Sequence, residues 1–333
     1  MKANLLLLVA ATALGLVICE IGLRLFITPE SKRLAMYDPD LGWRGRPDGE
    51  GVFVRSADNI RTEYRYNRYG FRGEDFAPGK SENTRVLLLG DSFTEALEVD
   101  YEKTFPMLLK DSLNRPSSDT IEVLTLASMG YSTAQQLLAL RKYRDAARPD
   151  VVLLALYTGN DFTENLRRQF AYLDNLGNLR FRPNTDSAAK RGYLKFKRWL
   201  YEHSHLVFLV KNFLESATGV RIRDEAKEER DDTNEDYKYR ITGLLISTIQ
   251  DEAVRHGAEF GLLIIPELEE LEHGNADTEW LVQFCERQGI RYLNLSDVLR
   301  PDYYFEHDRH LNEMGHQAVA TAVHTLVSRL AHD

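Results

Sequence analysis

From residue 83 onward, short continuous apolar runs alternate with longer stretches whose apolar residues recur at helical spacing. The runs are RVLLL (85–89), EVLTLA (122–127), VVLLALY (151–157), EFGLLII (259–265) and IRYLNL (290–295). Runs of this length without polar alternation predict strands covered on both faces. Between and after them, residues 105–113, 133–147, 236–256, 278–288 and 312–331 carry the helical period. Five such strands separated by helices predict an α/β architecture, with a parallel five-stranded sheet sandwiched between two helical layers.

Two regions break the alternation. Residues 28–82 hold turn formers and aromatics, including GWR at 42–44 and YGFRG at 69–73, and their alternating part predicts a hairpin or edge strand. Residues 165–234 read as an insertion. Its stretch KRGYLKFKRWLYEHSHLVFLVKNFL (190–214) sets Lys195, Lys197 and Arg198 among Tyr193, Phe196 and Trp199. The expectation is an insertion helix packing its apolar face on the domain, the alternative a lid or membrane-facing helix. The charge run at 223–232 reads as solvated surface. The chain therefore divides into 1–27, 28–82 and a domain over 83–333 that contains the insertion.

Lys2 precedes an uncharged apolar stretch over 5–19, the order of a secretory signal. Glu20 and Arg24, four apart with the acid first, can pair on a helix and extend the apolar segment to residue 27. At about 1.5 Å per residue that helix is roughly 34 Å long, enough to cross a bilayer. No small-x-small cleavage site is clearly placed and Ile18 before Cys19 suits lipoprotein processing poorly, so an uncleaved anchor is expected over a removed signal; a buried amphipathic helix is the remaining alternative. The domain is expected outside the cytoplasm, although Lys2 on one side against Arg24, Lys32 and Arg33 on the other counts against that orientation.

Composition narrows the function classes. The 333 residues are 43% hydrophobic and 28% charged, as in a folded soluble domain, and the net charge of −9 speaks against a nucleic-acid partner. Two cysteines, Cys19 and Cys285, build neither a disulfide framework nor a thiolate zinc site, and no metal or cofactor is expected.

The chemistry-bearing residues fall just after predicted strands. Gly90-Asp91-Ser92-Phe93 follows the first run and exposes a serine on a strand-to-helix turn; Ser128-Met129-Gly130 follows the second, where a glycine lets a backbone N–H approach a ligand. Gly159-Asn160-Asp161 follows the third and supplies a side-chain amide suited to a developing oxyanion. Asp308-Arg309-His310 follows the last, pairing a base with a carboxylate that holds its tautomer. Each alone is an ordinary turn or cap. Together they share the rim beyond the carboxyl ends of the strands, where open parallel sheets bind ligands, and in a flavodoxin-like strand order Ser92 and Asn160 flank the crevice.

With Ser92, Gly130, Asn160 and His310 in that order, the sequence resembles the SGNH/GDSL hydrolase superfamily from about residue 83 to the end, outside the insertion. The resemblance implies a flavodoxin-like three-layer α/β/α sandwich, Ser92 as nucleophile, His310 as base and an oxyanion hole from the Ser92 and Gly130 amides with the Asn160 side chain. It departs in Phe93 and Thr94, where many members have Leu, and in an acid two rather than three residues before the histidine. His307 holds the three-back position, leaving Asp308 as the near acid. The shorter spacing is similar to that of alginate-type polysaccharide O-acetyltransferases, and the anchor with GWR and YGFRG resembles membrane-tethered members. The implied activity is a serine esterase acting on a small acyl ester or an acylated carbohydrate through an acyl-serine. A polysaccharide O-acetyltransferase and a non-catalytic envelope assembly protein are the alternatives. His307 and His316 are read as packing or solvent-contact residues rather than metal ligands, and no protein partner is indicated.

Overall fold

The computed structural model describes residues 2–26, 35–114, 120–182, 187–218 and 235–330; the charge run at 223–232 lies outside them. The five apolar runs form one parallel sheet of β5 (Thr84–Gly90), β6 (Ile121–Ala127), β7 (Val151–Tyr157), β10 (Glu259–Ile265) and β11 (Arg291–Asn294). Its spatial order, β11-β10-β7-β5-β6, is the flavodoxin-like order read from the opposite edge. Strand alternation sorts the side chains. Leu87, Leu89, Val152, Leu154, Leu156, Leu262 and Ile264 face one layer, built by α4 (Thr133–Ala147), α8 (Glu235–Arg255) and α10 (Ala276–Gln288). Val86, Leu88, Leu153, Ala155, Leu263 and Ile265 face the other, built by α3 (Phe105–Leu113) and α11 (Glu313–Leu330). Both faces are thus sealed, as continuous apolar strands require.

Helix starts follow local chemistry. Ser132 and Gln135 close a reciprocal capping box on α4, while Asn275 accepts the Asp277 N–H at the start of α10 and Gly289 ends it in the left-handed region. Three short helices, α2 (Ser92–Glu95), α5 (Asp161–Glu164) and α9 (Glu270–His273), sit just beyond the ends of β5, β7 and β10.

The segment before the sheet makes two hairpins, β1 (Ala35–Asp38) with β2 (Gly42–Gly45) and β3 (Glu50–Arg55) with β4 (Ile60–Arg65). The GWR and YGFRG segments cross with almost no space between them: a Cβ on Gly45 would lie 2.6 Å from the Gly70 carbonyl oxygen. After β7 the insertion begins with β8 (Ala171–Leu173) and β9 (Leu179–Phe181), then α6 (Ala188–His203) and α7 (His205–Thr218).

α1 (Lys2–Phe26) contains a 21-residue window, Leu6–Phe26, apolar and long enough to cross a membrane, with a mean hydropathy of 2.4. Leu6, Leu7, Leu8, Leu14, Leu16, Ile18, Ile21 and Leu25 face outward, unlike the side chains of a core helix, which goes against the buried-helix alternative. Glu20 and Arg24 pair at 2.8 Å. The insertion departs from expectation: Tyr193, Phe196 and Trp199 of α6 are 60%, 59% and 52% exposed rather than packed on the domain. α6 meets the first hairpin through β1 and packs along α7.

Candidate active site

Ser92 owes its position to how β5 ends. A Cβ on Gly90 would lie 2.7 Å from the Thr94 Cβ, so only glycine lets the strand turn this tightly into α2. Asp91 caps the helix, its Oδ1 accepting the Phe93 N–H at 3.0 Å. Ser92 is therefore the first residue of the helix, and the Phe93 ring stacks on Tyr157 at 4.0 Å and lies against the His310 imidazole at 4.8 Å. One of the departures from the common Gly-Asp-Ser-Leu pattern is thus a wall for the histidine.

The second half of the site is a turn between β11 and α11. The Phe305 N–H donates to the His310 carbonyl at 2.8 Å, and Arg309 sits in the left-handed region at φ 70°. That one reversed residue folds the Asp308 side chain back onto the histidine two positions on, which makes the shorter acid spacing workable. The Ser92 Oγ and His310 Nε2 are 2.8 Å apart, and His310 Nδ1 and Asp308 Oδ1 are 2.5 Å apart. Nδ1–H donating to the carboxylate leaves Nε2 to accept the serine proton, the tautomer this hydrogen-bond network selects.

The 28–82 segment holds this turn from outside. Arg55 Nε donates to Asp308 Oδ2 at 3.0 Å, and Asp58 accepts the His307 and Asp308 N–H groups at 2.9 and 2.8 Å. Arg72, buried, donates to the Val99 carbonyl at 2.9 Å and also to the Ala96 carbonyl. It thereby fixes the loop that carries Glu98, whose carboxylate lies 3.6 Å from His310 Nδ1. Two acids therefore flank one imidazole. Burial works against the imidazolium, but the Glu98 charge and the Asp308 hydrogen bond outweigh it and raise the His310 pKa to about 9. Burial also pushes the Asp308 carboxyl up; the His310 bond and the Arg55 charge outweigh it and hold the group below its ordinary value. Glu98 is pushed up by burial, with the Asp308 charge adding to the shift.

The donor side is built with equal definition. Gly130 takes φ 75°, and the loop around it is pinned three ways: Met129 N–H donates to Glu95 Oε2, Trp43 Nε1 donates to the Met129 carbonyl at 3.1 Å, and Arg167 reaches the Gly130 carbonyl at 3.4 Å. Glu95 is itself fixed by the Tyr66 hydroxyl at 2.7 Å. Asn160 Nδ2 donates to Asp91 Oδ2 at 3.2 Å, which brings its amide to the residue before the serine and leaves one N–H for a ligand. Beneath it Asp161 accepts the Tyr157 N–H at 2.8 Å, and burial together with the Asp91 charge pushes its pKa well up.

The structure thus brings Ser92, His310, Asp308, Gly130 and Asn160 to one rim. Sequence reasoning missed Glu95 and Glu98, although two acids inside the otherwise apolar FTEALEV run directly after the serine are a readable signal. It also missed Arg55, Asp58 and Arg72, for which no local signal exists. His316 is buried against Phe105, accepts the Phe105 N–H at 3.3 Å and is lowered to about 3 by burial, so it is a neutral packing residue. Glu98, Asp308 and His310 place ligand atoms within 4.8 Å of one another. The 2.5 Å between Asp308 and His310 is nevertheless a hydrogen-bond distance, shorter than two ligands about 2 Å from a tetrahedral zinc could stand apart. A cleft of about 1030 Å³ is lined by residues of the β3–β4 hairpin, including Glu50, Arg61, Glu63 and Arg65, together with Glu74 and Asp100; none of Ser92, Asp308 or His310 lines it.

No protein-family model matches the chain, and no curated protein matches it. Among solved structures it is similar to the psychrotrophic esterase EstA from Pseudoalteromonas sp., at 12% identity and a TM-score of 0.43, over 75% of this chain and 100% of that one. It is similar too to the acetyl xylan esterase AlAXEase, at 15% identity and 0.42 over 73% and 99%, and to a carbohydrate acetylesterase family member from Sinorhizobium meliloti, at 14% and 0.38 over 74% and 98%. Likeness this distant carries no functional weight of its own.

Proposed function

We propose that this chain is a serine esterase of the SGNH/GDSL type that cleaves a small acyl ester or an acylated carbohydrate. The observation that carries the proposal is the unbroken line from Ser92 Oγ through His310 to Asp308, at 2.8 and 2.5 Å. His310 takes the serine proton as Oγ attacks the ester carbonyl, and the Ser92 and Gly130 amides with the Asn160 side chain receive the oxyanion. His310 then protonates the leaving alcohol, and water, activated by the same imidazole, releases the acid from the acyl-serine. A fluorophosphonate probe tests this directly. It is expected to label Ser92 in the wild type and to leave His310→Ala unlabelled; equal labelling of both would remove His310 from the reaction.

A sugar hydroxyl can replace water in the second half of the cycle, which makes polysaccharide O-acetyl transfer the second reading. The Asp308-x-His310 spacing, closed by the left-handed Arg309, favours it. With an acetyl ester and an oligosaccharide present together, transfer exceeding hydrolysis would support this reading.

Asn160→Ala is expected to lower turnover by about 100- to 1,000-fold, the loss typical of one oxyanion donor. The thermal midpoint should move little, since α5 has no side-chain cap from this residue. A wild-type rate would make Asn160 a turn residue only.

The pH profile carries a distinct signature. A base must be neutral, and His310 loses its proton only through a pKa of about 9, above the 6 to 7 that the sequence alone suggests. The rate kcat/KM should therefore still be climbing at pH 8. Glu98→Gln removes a negative neighbour, stabilises the neutral imidazole and should shift the rising limb to lower pH. An unmoved limb would show that Glu98 carries no charge in the working range.

A further inference from the structure

We propose that α6 and α7 form a bilayer-docking face, held at the membrane surface by α1 and seated on anionic lipid headgroups. The two helices meet at Ser204, and the last turns of α1 occupy that corner. Glu20 accepts hydrogen bonds from the Ser204 hydroxyl at 2.8 Å and from the His205 and Leu206 N–H groups at 2.9 and 3.0 Å, while Arg24 donates to the His203 carbonyl at 2.5 Å. Glu20 therefore satisfies amides at the start of α7, and Arg24 a carbonyl at the end of α6. Both residues lie in the final third of the apolar window. If α1 spans a bilayer, they sit near its polar boundary and hold the corner there.

The exposed chemistry of the pair matches that boundary. On α6, Tyr193, Phe196 and Trp199 fall within about 120° of one another at 100° per residue, and Phe196 and Trp199 stack at 6.2 Å. Lys195 and Lys197 flank this stripe on opposite sides by the same arithmetic. On α7, Val210, Phe213 and Leu214 are 48%, 71% and 42% exposed, whereas Phe208 turns inward and is buried. Aromatics and aliphatics rimmed by lysine are the pattern of a helix lying in an interface. In a chain of net charge −9, this local cluster of Lys190, Arg191, Lys195 and Lys197 concentrates positive charge beside the aromatic stripe, the sign that complements an anionic surface. The chain has three tryptophans, of which Trp199 lies on this face while Trp43 and Trp280, both partly buried, pack against Tyr131 and Phe284 respectively.

The full chain, reconstituted in phosphatidylcholine–phosphatidylglycerol vesicles with brominated acyl chains, provides the test. Bromine should quench a component of the tryptophan emission, and Trp199→Phe should abolish that component while ester hydrolysis, or fluorophosphonate labelling, reports an intact fold. Lys195→Glu with Lys197→Glu should weaken the quenching, as should replacing phosphatidylglycerol by phosphatidylcholine. Quenching identical in wild type and Trp199→Phe would overturn the docking face. Cross-linking between copies through position 199 without lipid quenching would also overturn it and assign the face to self-association. Quenching indifferent to both charge changes would overturn the anionic-lipid part.

Discussion

Ser92→Ala is expected to lower ester turnover by about a millionfold, to a residue of catalysis left by binding and the oxyanion donors. The hydroxyl is the nucleophile of the proposed cycle, and its loss removes the covalent route altogether. The fold should survive, because the helix cap comes from Asp91, whose bond to the Phe93 N–H does not involve the serine side chain. Alanine is also smaller than serine and fits any space that holds it. The measurement is single-turnover hydrolysis of a short-chain aryl ester alongside a thermal melt. Retained turnover with a normal melt would sink the acyl-serine mechanism, whereas lost turnover with a lost melt would call for the cysteine variant and its thiol chemistry instead.

Asp308→Asn should cost about 10⁴-fold in kcat, the loss seen when a triad carboxylate becomes an amide and the histidine adopts the wrong tautomer. The geometry here sharpens that expectation. Asp308 accepts at both oxygens, from His310 Nδ1 through Oδ1 and from Arg55 Nε through Oδ2. An amide accepts at one end only. The cationic Arg55 claims the oxygen, and the NH₂ group then faces His310 Nδ1, drives its proton to Nε2 and leaves no lone pair for the serine. Removing Arg55 as well should relieve that bias, so Asp308→Asn with Arg55→Gln is expected to be more active than Asp308→Asn alone. Equal rates for the two variants would show that Arg55 does not set the orientation.

How much of this was legible in the sequence depended on whether the signal was local. VVLLALY and EFGLLII read as strands because burial on both faces leaves an uninterrupted apolar run, and β7 and β10 occupy those residues. The helical spacing of apolar residues over 133–147 and 278–288 announced α4 and most of α10 in the same local way. The Ser92, Asn160 and Asp308–His310 motifs were readable because each follows a strand, and a parallel sheet gathers such positions at one edge. Arg55 and Asp58 were not readable: their partners lie about 250 positions away, and a charged residue on a hairpin looks like any solvated one. The insertion misled for a related reason. Helical spacing shows that α6 has an apolar face, but whether another part of the protein covers it depends on the space left beside the sheet, which periodicity does not encode.

The grips that Arg55, Asp58 and Arg72 place on the acid turn and on the Glu98 loop have a practical corollary. A protein engineer who trims this chain to the portion recognisable by motif, starting near residue 83, would keep every reactive group yet discard the brackets that aim them. The proposed nucleophile and base would then belong to a machine missing its frame, and a trimmed chain that keeps the proposed activity is expected to begin upstream of the β3–β4 hairpin.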